Sequence, residues 1–503
     1  MRSSILAPSK SKKVANQNAF FSRFYLLLAG LLFFIAGCRQ SPEETAANKE
    51  EAGKGSAFER ALNSGKIRVL TDYNTVNYYI YRGEPMGYQY ELLKTFARHL
   101  GLRLELRIEQ DLGSAQALLD SGQADMIALN MTVTGERVRR FDFSDPIIVT
   151  RQVLVQRLPK NWLQLRTRDE IEKGLIRSSL ELAGKTIHVQ ENSVFAKRLR
   201  TLADEIGDTI YIVEDKRDVE DLVAAVADKD IDYTISDEHM AAVFLRNYNN
   251  LDIKTAVSFD QKIAWALKKE VENDLLKEIN KWLADFLPSR EGRLLYDKYF
   301  SPLVKNRSAS EYHSVTGDRL SPYDDIIRSA AASINWDWRL MASLIYQESE
   351  FKPDVRSWAG AFGLMQLMPG VMEQFSIDST ATPEVQVLVG AQYIQYLDRQ
   401  IPESVTDSLE RNKFVLASYN AGVGHVLDAR RLAVKYNKNP DVWTDNVDFF
   451  MRNKSKPAFY NDPASYYGYV RGEETYQFVE QIIERYEHYK NLIGDHPKSA
   501  IKP

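Results

Sequence analysis

The sequence predicts a multidomain chain in which an α/β region precedes an all-α region, and three observations carry that prediction. At 503 residues the chain is too long for one ordinary domain. Up to about residue 300, short strand-like apolar runs alternate with amphipathic helical runs, whereas beyond about residue 319 strand signals nearly vanish. Between the two lies SPLVKNRSASEYHSVTGD, residues 301 to 318, which is polar, aperiodic and reads as a boundary.

Composition narrows the function classes. An apolar fraction of 44% with 11% aromatics supports filled cores rather than disorder. A net charge of −4, with no dense Lys/Arg block after the first residues, argues against a nucleic-acid partner. The single cysteine precludes an intramolecular disulfide and a Cys-based metal cluster. No metal motif or cofactor motif is present, so neither a metal nor a cofactor is expected.

Residues 1–37 read as an export signal. A basic leader (Arg2, Lys10, Lys12, Lys13, Arg23) precedes the apolar run Tyr25 to Ala36, whose twelve residues rise about 18 Å as a helix, too short for a bilayer span. Ile35-Ala36-Gly37-Cys38 resembles a bacterial lipobox, which implies a lipidated Cys38 as mature N-terminus and a membrane held through that anchor. An uncleaved signal anchor and a soluble periplasmic protein with a free thiol are the alternatives, and all three imply export. Arg39 stands where an Asp would signal inner-membrane retention, which favours the outer membrane, periplasmic face. Residues 38–57 are polar and charged, without periodicity, and read as a flexible tether.

From Phe58 the α/β pattern is explicit. Lys66 to Leu70 reads as a strand and Tyr90 to Leu100 as an amphipathic helix closed by Gly101. Leu102, Leu104, Leu106 and Ile108 then alternate with Arg103, Glu105, Arg107 and Glu109, a half-buried strand. Asp125 to Leu129, Ile147 to Val155, Thr186 to Val189 and Tyr233 to Ser236 are further strand candidates with helices between them.

The strings GYQYELLKTFARHLGL (87 to 102), the region around GQADM (122 to 126) and TVTGERVRRFDFSDP (132 to 146) resemble the type 2 periplasmic solute-binding proteins for amino acids. The resemblance covers residues 58–303 and implies two lobes hinged around a cleft, the chain crossing out near Ile148 to Gln156 and returning near Gln261 to Leu267. An amino-acid cleft needs a cation for the α-carboxylate, ideally a guanidinium whose fork matches it, and an anion for the α-ammonium. Arg137 matches the family's carboxylate-binding position, Thr132 would add a donor, and Asp237 matches the ammonium-binding acid. The plainer readings are an exposed arginine beside Arg139 and Arg140, and a helix N-cap at Asp237. Gln190 to Val194 departs from the family's lobe-two loop, although Ser193 could serve there, and Tyr73, Tyr78 and Tyr79 suggest an apolar wall. The ligand, an amino acid or a muropeptide, stays open.

After a linker at 304–318, residues 319–495 read as all-α, with helical periods at Tyr323 to Ser333, Asp337 to Glu348, Pro383 to Asp398, Glu410 to Gly422 and Tyr476 to Leu492. In LMASLIYQESEFKPDVRSWAGAFGLMQLM (340 to 368), Leu340, Met341, Leu344 and Ile345 form a buried stripe, and Glu348 falls on it at i+8, i+7, i+4 and i+3. Glu350 is turned about 200° away and faces solvent. A desolvated carboxyl has a raised pKa, the requirement for a general acid near neutrality. A buried Glu satisfied by a backbone or Arg partner is the competing reading.

Gln347-Glu348-Ser349, Gly363 to Pro369, Ala417 to Gly422 and Glu474 to Val479 resemble, in order, the motifs of lytic murein transglycosylases with a goose-type lysozyme fold. Phe478 departs from that pattern, which usually has Tyr there, so no hydroxyl role is expected of it. The resemblance implies non-hydrolytic cleavage of the β-1,4 bond between N-acetylmuramic acid and N-acetylglucosamine in peptidoglycan glycan strands, with 1,6-anhydro products. Glu348 would be the catalytic acid and then base. Ser349 and Gln366 would hydrogen-bond the sugars, Tyr419 would orient Glu348 or contact the acetamido group, Asn420 would shape the same loop, and Glu474 would contact substrate, support structure or act as a second carboxylate. Phe459, Tyr460, Tyr466, Tyr467 and Tyr469 stack on sugar rings or form a core seam. His313 and His425 read as surface or loop residues. Ligand binding in the first region would regulate the second. A hydrolytic muramidase and a non-catalytic glycan or amino-acid sensor are the alternatives.

Overall fold

The computed structural model describes residues 56–165, 167–270, 273–301, 310–315, 317 and 319–494. Cys38, the export signal and most of the tether lie outside the described residues.

The first lobe opens with α1 (Ala57–Ser64), β1 (Lys66–Thr71), the hairpin β2 (Tyr79–Tyr81) and β3 (Glu84–Met86), α2 (Tyr88–His99), β4 (Arg103–Ile108), α3 (Leu112–Asp120), β5 (Met126–Ile127) and β6 (Phe141–Phe143). A strand β7 (Ile148–Thr150) leads out to the second lobe, which contains β8 (Gln152–Arg157), α4 (Arg168–Glu172), β9 (Thr186–Gln190), α5 (Val194–Ile206), β10 (Tyr211–Asp215), α6 (Val219–Asp228), β11 (Tyr233–Asp237), α7 (Glu238–Phe244) and β12 (Leu251–Ala256). The chain returns through β13 (Gln261–Ile263) and β14 (Ala266–Lys268) and closes the first lobe with α8 (Asp274–Phe286) and α9 (Arg290–Phe300).

Each lobe has a five-stranded sheet, ordered β4-β1-β5-β14-β6 and β10-β9-β11-β8-β12. The outgoing β7 and returning β13 pair antiparallel, Ile148 opposite Ile263, so the two crossings are tied to one another. The single strand read at Ile147 to Val155 is thus two strands, one in the crossing and one in the second sheet. The parallel β1 and β4 are joined by α2, because parallel neighbours need a crossover. Only Leu106 of β4 is fully buried, since the strand lies at the sheet edge.

The all-α region comprises α10 (Asp324–Ser333), α11 (Trp338–Ser349), α12 (Pro369–Gln374), α13 (Pro383–Asp398), α14 (Ser408–Ala421), α15 (Val423–Lys435), α16 (Asp448–Asn453), α17 (Pro457–Tyr460) and α18 (Gly472–Leu492). The central α11 buries Leu340, Met341, Leu344 and Ile345 completely. Asp337 caps its start by accepting from the Arg339 amide at 2.9 Å. The Ser343 hydroxyl donates to the Ile482 carbonyl at 2.7 Å and fixes α18 alongside. The helix read through Gly422 stops at Ala421, because Gly422 has φ +87° and starts a new helix.

The two regions share an interface built on α18. The Tyr489 hydroxyl donates to the Gly83 carbonyl at 2.6 Å, the Asn491 amide donates to Leu106 at 3.0 Å, and Tyr78 and His488 share a 2.6 Å hydrogen bond. Gly83, at the tip of the β2–β3 hairpin, has φ +82°, and a Cβ there would lie 2.7 Å from ring carbons of both Tyr346 and Phe351. Part of the expected linker joins this interface. His313 is buried rather than at the surface, stacked on Tyr79 at 4.4 Å between centroids, because Ser314 binds the Ile80 amide and draws the segment inward. His425 likewise belongs to a helix, α15, and its Nδ1 lies 2.9 Å from Lys454 Nζ.

Candidate active site

Glu348 occupies the last turn of α11, half-buried. Burial pushes its carboxyl up from 4.5 to about 8, with no neighbouring charge contributing. Among the described residues no hydrogen bond or ion pair satisfies it, unlike Glu350, which is exposed and paired with Lys352 at 2.6 Å. The helix stops abruptly because Glu350 and Phe351 both take left-handed backbone angles, φ 52° and 60°. Two such non-glycine residues in succession store strain immediately beside the carboxyl.

The following loop is gripped by its backbone. Ser349 is 5% exposed, and its hydroxyl donates to the Leu364 carbonyl at 2.8 Å. From α13, Gln386 Oε1 accepts from the Leu364 amide at 2.7 Å while its NH2 donates to Ala381 at 2.9 Å. From α14, the Tyr419 hydroxyl donates to the Met365 carbonyl at 2.6 Å. Burial, and secondarily the Glu348 charge, hold that hydroxyl well above its ordinary range, which places Tyr419 beside the acid. Three side chains from three helices therefore clamp two consecutive residues, Leu364 and Met365. Gly363 must be glycine, with φ +83° and Gln386 Oε1 2.3 Å from where a Cβ would stand.

The remaining expected residues separate by accessibility. Gln366, at φ 44°, spends its NH2 on Val355 and Gly363, both at 3.0 Å, leaving its side-chain oxygen. Asn420 is exposed, and Thr475 donates to its Oδ1 at 2.7 Å, so its NH2 is the end left for a ligand. Glu474 is exposed, accepts from Arg471 at 3.3 Å, and exerts no charge on Glu348. The direct sugar contact expected of Ser349 does not fit a hydroxyl buried and spent on Leu364. Gln386 was missed by sequence reasoning, although its position four residues before the buried Gly390 places it on the apolar face of α13, the signal that singled out Glu348.

The residues expected to hold an amino acid lie in different lobes, Arg137 in a one-turn 3-10 helix of the first and Asp237 at the end of β11 in the second. Arg137 is half-buried while Arg139 and Arg140 are exposed, and its guanidinium donates to the Thr132 carbonyl at 2.9 Å. Asp237 ends β11, is 8% exposed, and makes no capping hydrogen bond to α7, so it is not an ordinary N-cap. One of its oxygens has no partner, and burial pushes the carboxyl up to about 7. The Ser193 hydroxyl, at the start of α5, is buried and unpartnered as well. The lobes touch through Thr75, which donates to Glu220 at 2.8 Å, and through Lys197 and Glu136 at 3.0 Å.

Residues 66–302 match the family model for bacterial extracellular solute-binding proteins, family 3, and residues 325–442 match that for the transglycosylase SLT domain. A membrane-bound lytic murein transglycosylase F from Desulfosudis oleivorans is 32% identical over 84% of this chain and 89% of its own length. Its namesake from Photobacterium profundum is 30% identical over 95% of this chain and 88% of its own. A solved structure of a P235GK mutant of ArgBP from T. maritima aligns with 49% of this chain and 99% of its own, at 25% identity and a TM-score of 0.39. Among the described residues no helix is long and apolar enough to cross a membrane. With relatives of this identity and coverage, the chain belongs to the membrane-bound lytic murein transglycosylase F family.

Proposed function

We propose that this chain is a peptidoglycan lytic transglycosylase in which Glu348 alone performs the acid and then the base step. The observation that carries the reading is a half-buried carboxyl, raised to about 8 by burial alone, with no second carboxylate acting on it. Hydrolysing glycosidases use two carboxyl groups flanking the bond. Here one suffices if the nucleophile is internal. Glu348, protonated at neutral pH, gives its proton to the glycosidic oxygen between N-acetylmuramic acid and N-acetylglucosamine. The 2-acetamido group stabilises the oxocarbenium-like centre. Ionised Glu348 then takes the proton of the muramoyl C6 hydroxyl as that oxygen bonds to C1, which yields a 1,6-anhydro end and returns the acid to its starting form. A pKa near operating pH serves both halves.

The supporting side chains fall into two roles. Ser349, Gln386 and Tyr419 hold the 363–368 loop against the acid, while the Gln366 oxygen, the Asn420 NH2 and Glu474 face the glycan. In the N-terminal region Arg137 takes an α-carboxylate, with Thr132 in support, and Asp237 takes an α-ammonium, so an amino acid or muropeptide regulates the enzyme through the Gly83 contact with Tyr346 and Phe351. Cys38 carries a lipid that holds the protein at the periplasmic face of the outer membrane. Digestion of sacculi followed by mass spectrometry tests the chemistry: anhydro-muropeptides are expected, each one water lighter than the reducing products of a muramidase, and Glu348→Gln abolishes them. If digestion is unchanged across a saturating panel of amino acids and muropeptides, the regulatory role is dropped.

A further inference from the structure

One buried charge cluster is not used by the chemistry above. The side chains of Asp428, on α15, and Lys454, just after α16, are both 0% exposed and form an ion pair. Withdrawing both charges from water is costly, and such pairs often serve to fix one arrangement of the chain rather than to add stability. The arrangement fixed here is a loop. Asp428 accepts from the backbone amides of Tyr466 and Tyr467, each at 2.8 Å, and from the Ser465 hydroxyl at 3.2 Å. Arg431 bonds the same carboxylate and the Ala464 carbonyl, and Lys435 pairs with Asp462 at 2.5 Å. Asp428, Arg431 and Lys435 fall at i, i+3 and i+7, one face of α15, and that face holds residues 462–467.

The outcome runs against apolar burial. Tyr466, Tyr467 and Tyr469 stay 73%, 61% and 56% exposed on a loop whose backbone is pinned from beneath. Phe459, the other end of the same aromatic run, packs on Phe450 and Tyr436 at 6.1 and 6.2 Å, so the run divides into a core half and a solvent half. The Tyr467 ring lies on Gly424, whose Cβ would stand 2.5 Å from a ring carbon, and one face of Tyr466 carries the Arg431 guanidinium at 4.1 Å from the centroid. Gly424 follows the helix end that bears Tyr419 and Asn420, and the loop itself runs into Glu474 and Thr475, which holds Asn420. The platform thus packs on the segment that follows Tyr419 and Asn420 and leads along the chain into Glu474 and Thr475.

We propose that Tyr466 and Tyr467 form a pyranose-stacking subsite for the glycan strand, and that Asp428 is its positioning residue. Each sugar of a β-1,4-linked amino-sugar chain presents an apolar C–H face and an acetamido methyl, which suit a fixed aromatic surface with polar edges. A preset loop loses little freedom on binding. The subsite rests on the reading of Glu348 as the catalytic centre, and its test separates the two. Full-length protein is assayed on peptide-free glycan strands of defined length, and strand binding is measured in the Glu348→Gln background. Replacing both tyrosines by Ala is expected to raise KM about tenfold, to keep kcat within about threefold, and to weaken strand binding by the same factor as KM. Phe at both positions restores KM, because the ring faces are kept, and Asp428→Asn reproduces the Ala phenotype. Unchanged KM and binding in the double Ala variant, with Glu348→Gln inactive, overturns the subsite and leaves the catalytic reading intact; turnover by Glu348→Gln overturns the reading beneath it. The two exposed tyrosines decide the matter even if Asp428→Asn fails to fold.

Discussion

Glu348 and Asp237 are both carboxyls taken from water without a partner among the described residues, raised to about 8 and about 7, yet their surroundings differ in kind. Asp237 ends a strand directly across the ladder from Gln152, whose side-chain oxygen is likewise buried and unpartnered. Glu348 ends a helix beside a loop whose polar groups are already bonded to Ser349, Gln386 and Tyr419. In the reading proposed above, a ligand completes the polar shell of Asp237. A lone acid beside a clamped loop, with the Gln366 oxygen and the Asn420 NH2 left open, suits proton transfer to a bound substrate.

Substitutions that remove each acid while keeping its shape break the comparison most severely. Glu348→Gln should lower turnover of sacculi by at least about a thousandfold, by product quantification, and leave amino-acid binding to the N-terminal region unaltered by calorimetry. Asp237→Asn should weaken amino-acid binding by about a hundredfold, since the α-ammonium loses its counter-charge. Equal loss of binding in both variants would erase the distinction.

Smaller effects sharpen it. Gln386→Ala orphans the Leu364 amide and should cost about 1–3 kcal/mol in denaturant unfolding, with about a tenfold fall in kcat as the loop loosens. Glu348→Gln should also stabilise the fold in a pH-dependent way. The folded carboxyl holds its proton to about 8 while the unfolded one ionises near 4.5, so as pH rises between those values ionisation favours only the unfolded state and wild-type stability falls. The gain in Tm should be near zero below pH 4.5 and reach its maximum, a few degrees, above pH 8.

Local periodicity made one half of this molecule legible. The apolar stripe of α11 located Glu348 without tertiary information, and the motif order around it fixed the all-α region. What stayed hidden depends on partners far apart in sequence. Helical spacing puts Gln386 on the apolar face of α13, but its role appears only when the Leu364 amide, 22 positions earlier, is beside it. The role of Asp428 needs amides 38 and 39 residues downstream. His313 sits in an aperiodic stretch that becomes structural through its pairing with the distant Ile80 and Arg82 backbone. Helix α15 was obscured by Gly422 and Gly424, which interrupt the helical pattern at its start. In the N-terminal region the resemblance supplied Arg137 and Asp237, but the burial that separates them from surface charges, and the unpartnered oxygen of Asp237, appear only in three dimensions.

The most direct test of a single-acid mechanism is cleavage of sacculi in oxygen-18 water with mass analysis of the new glycan ends. Intramolecular transfer draws the C1 oxygen from the muramoyl C6 hydroxyl, so the expected products carry no label. Label at the new muramoyl end would mean that water is the nucleophile and would contradict the account.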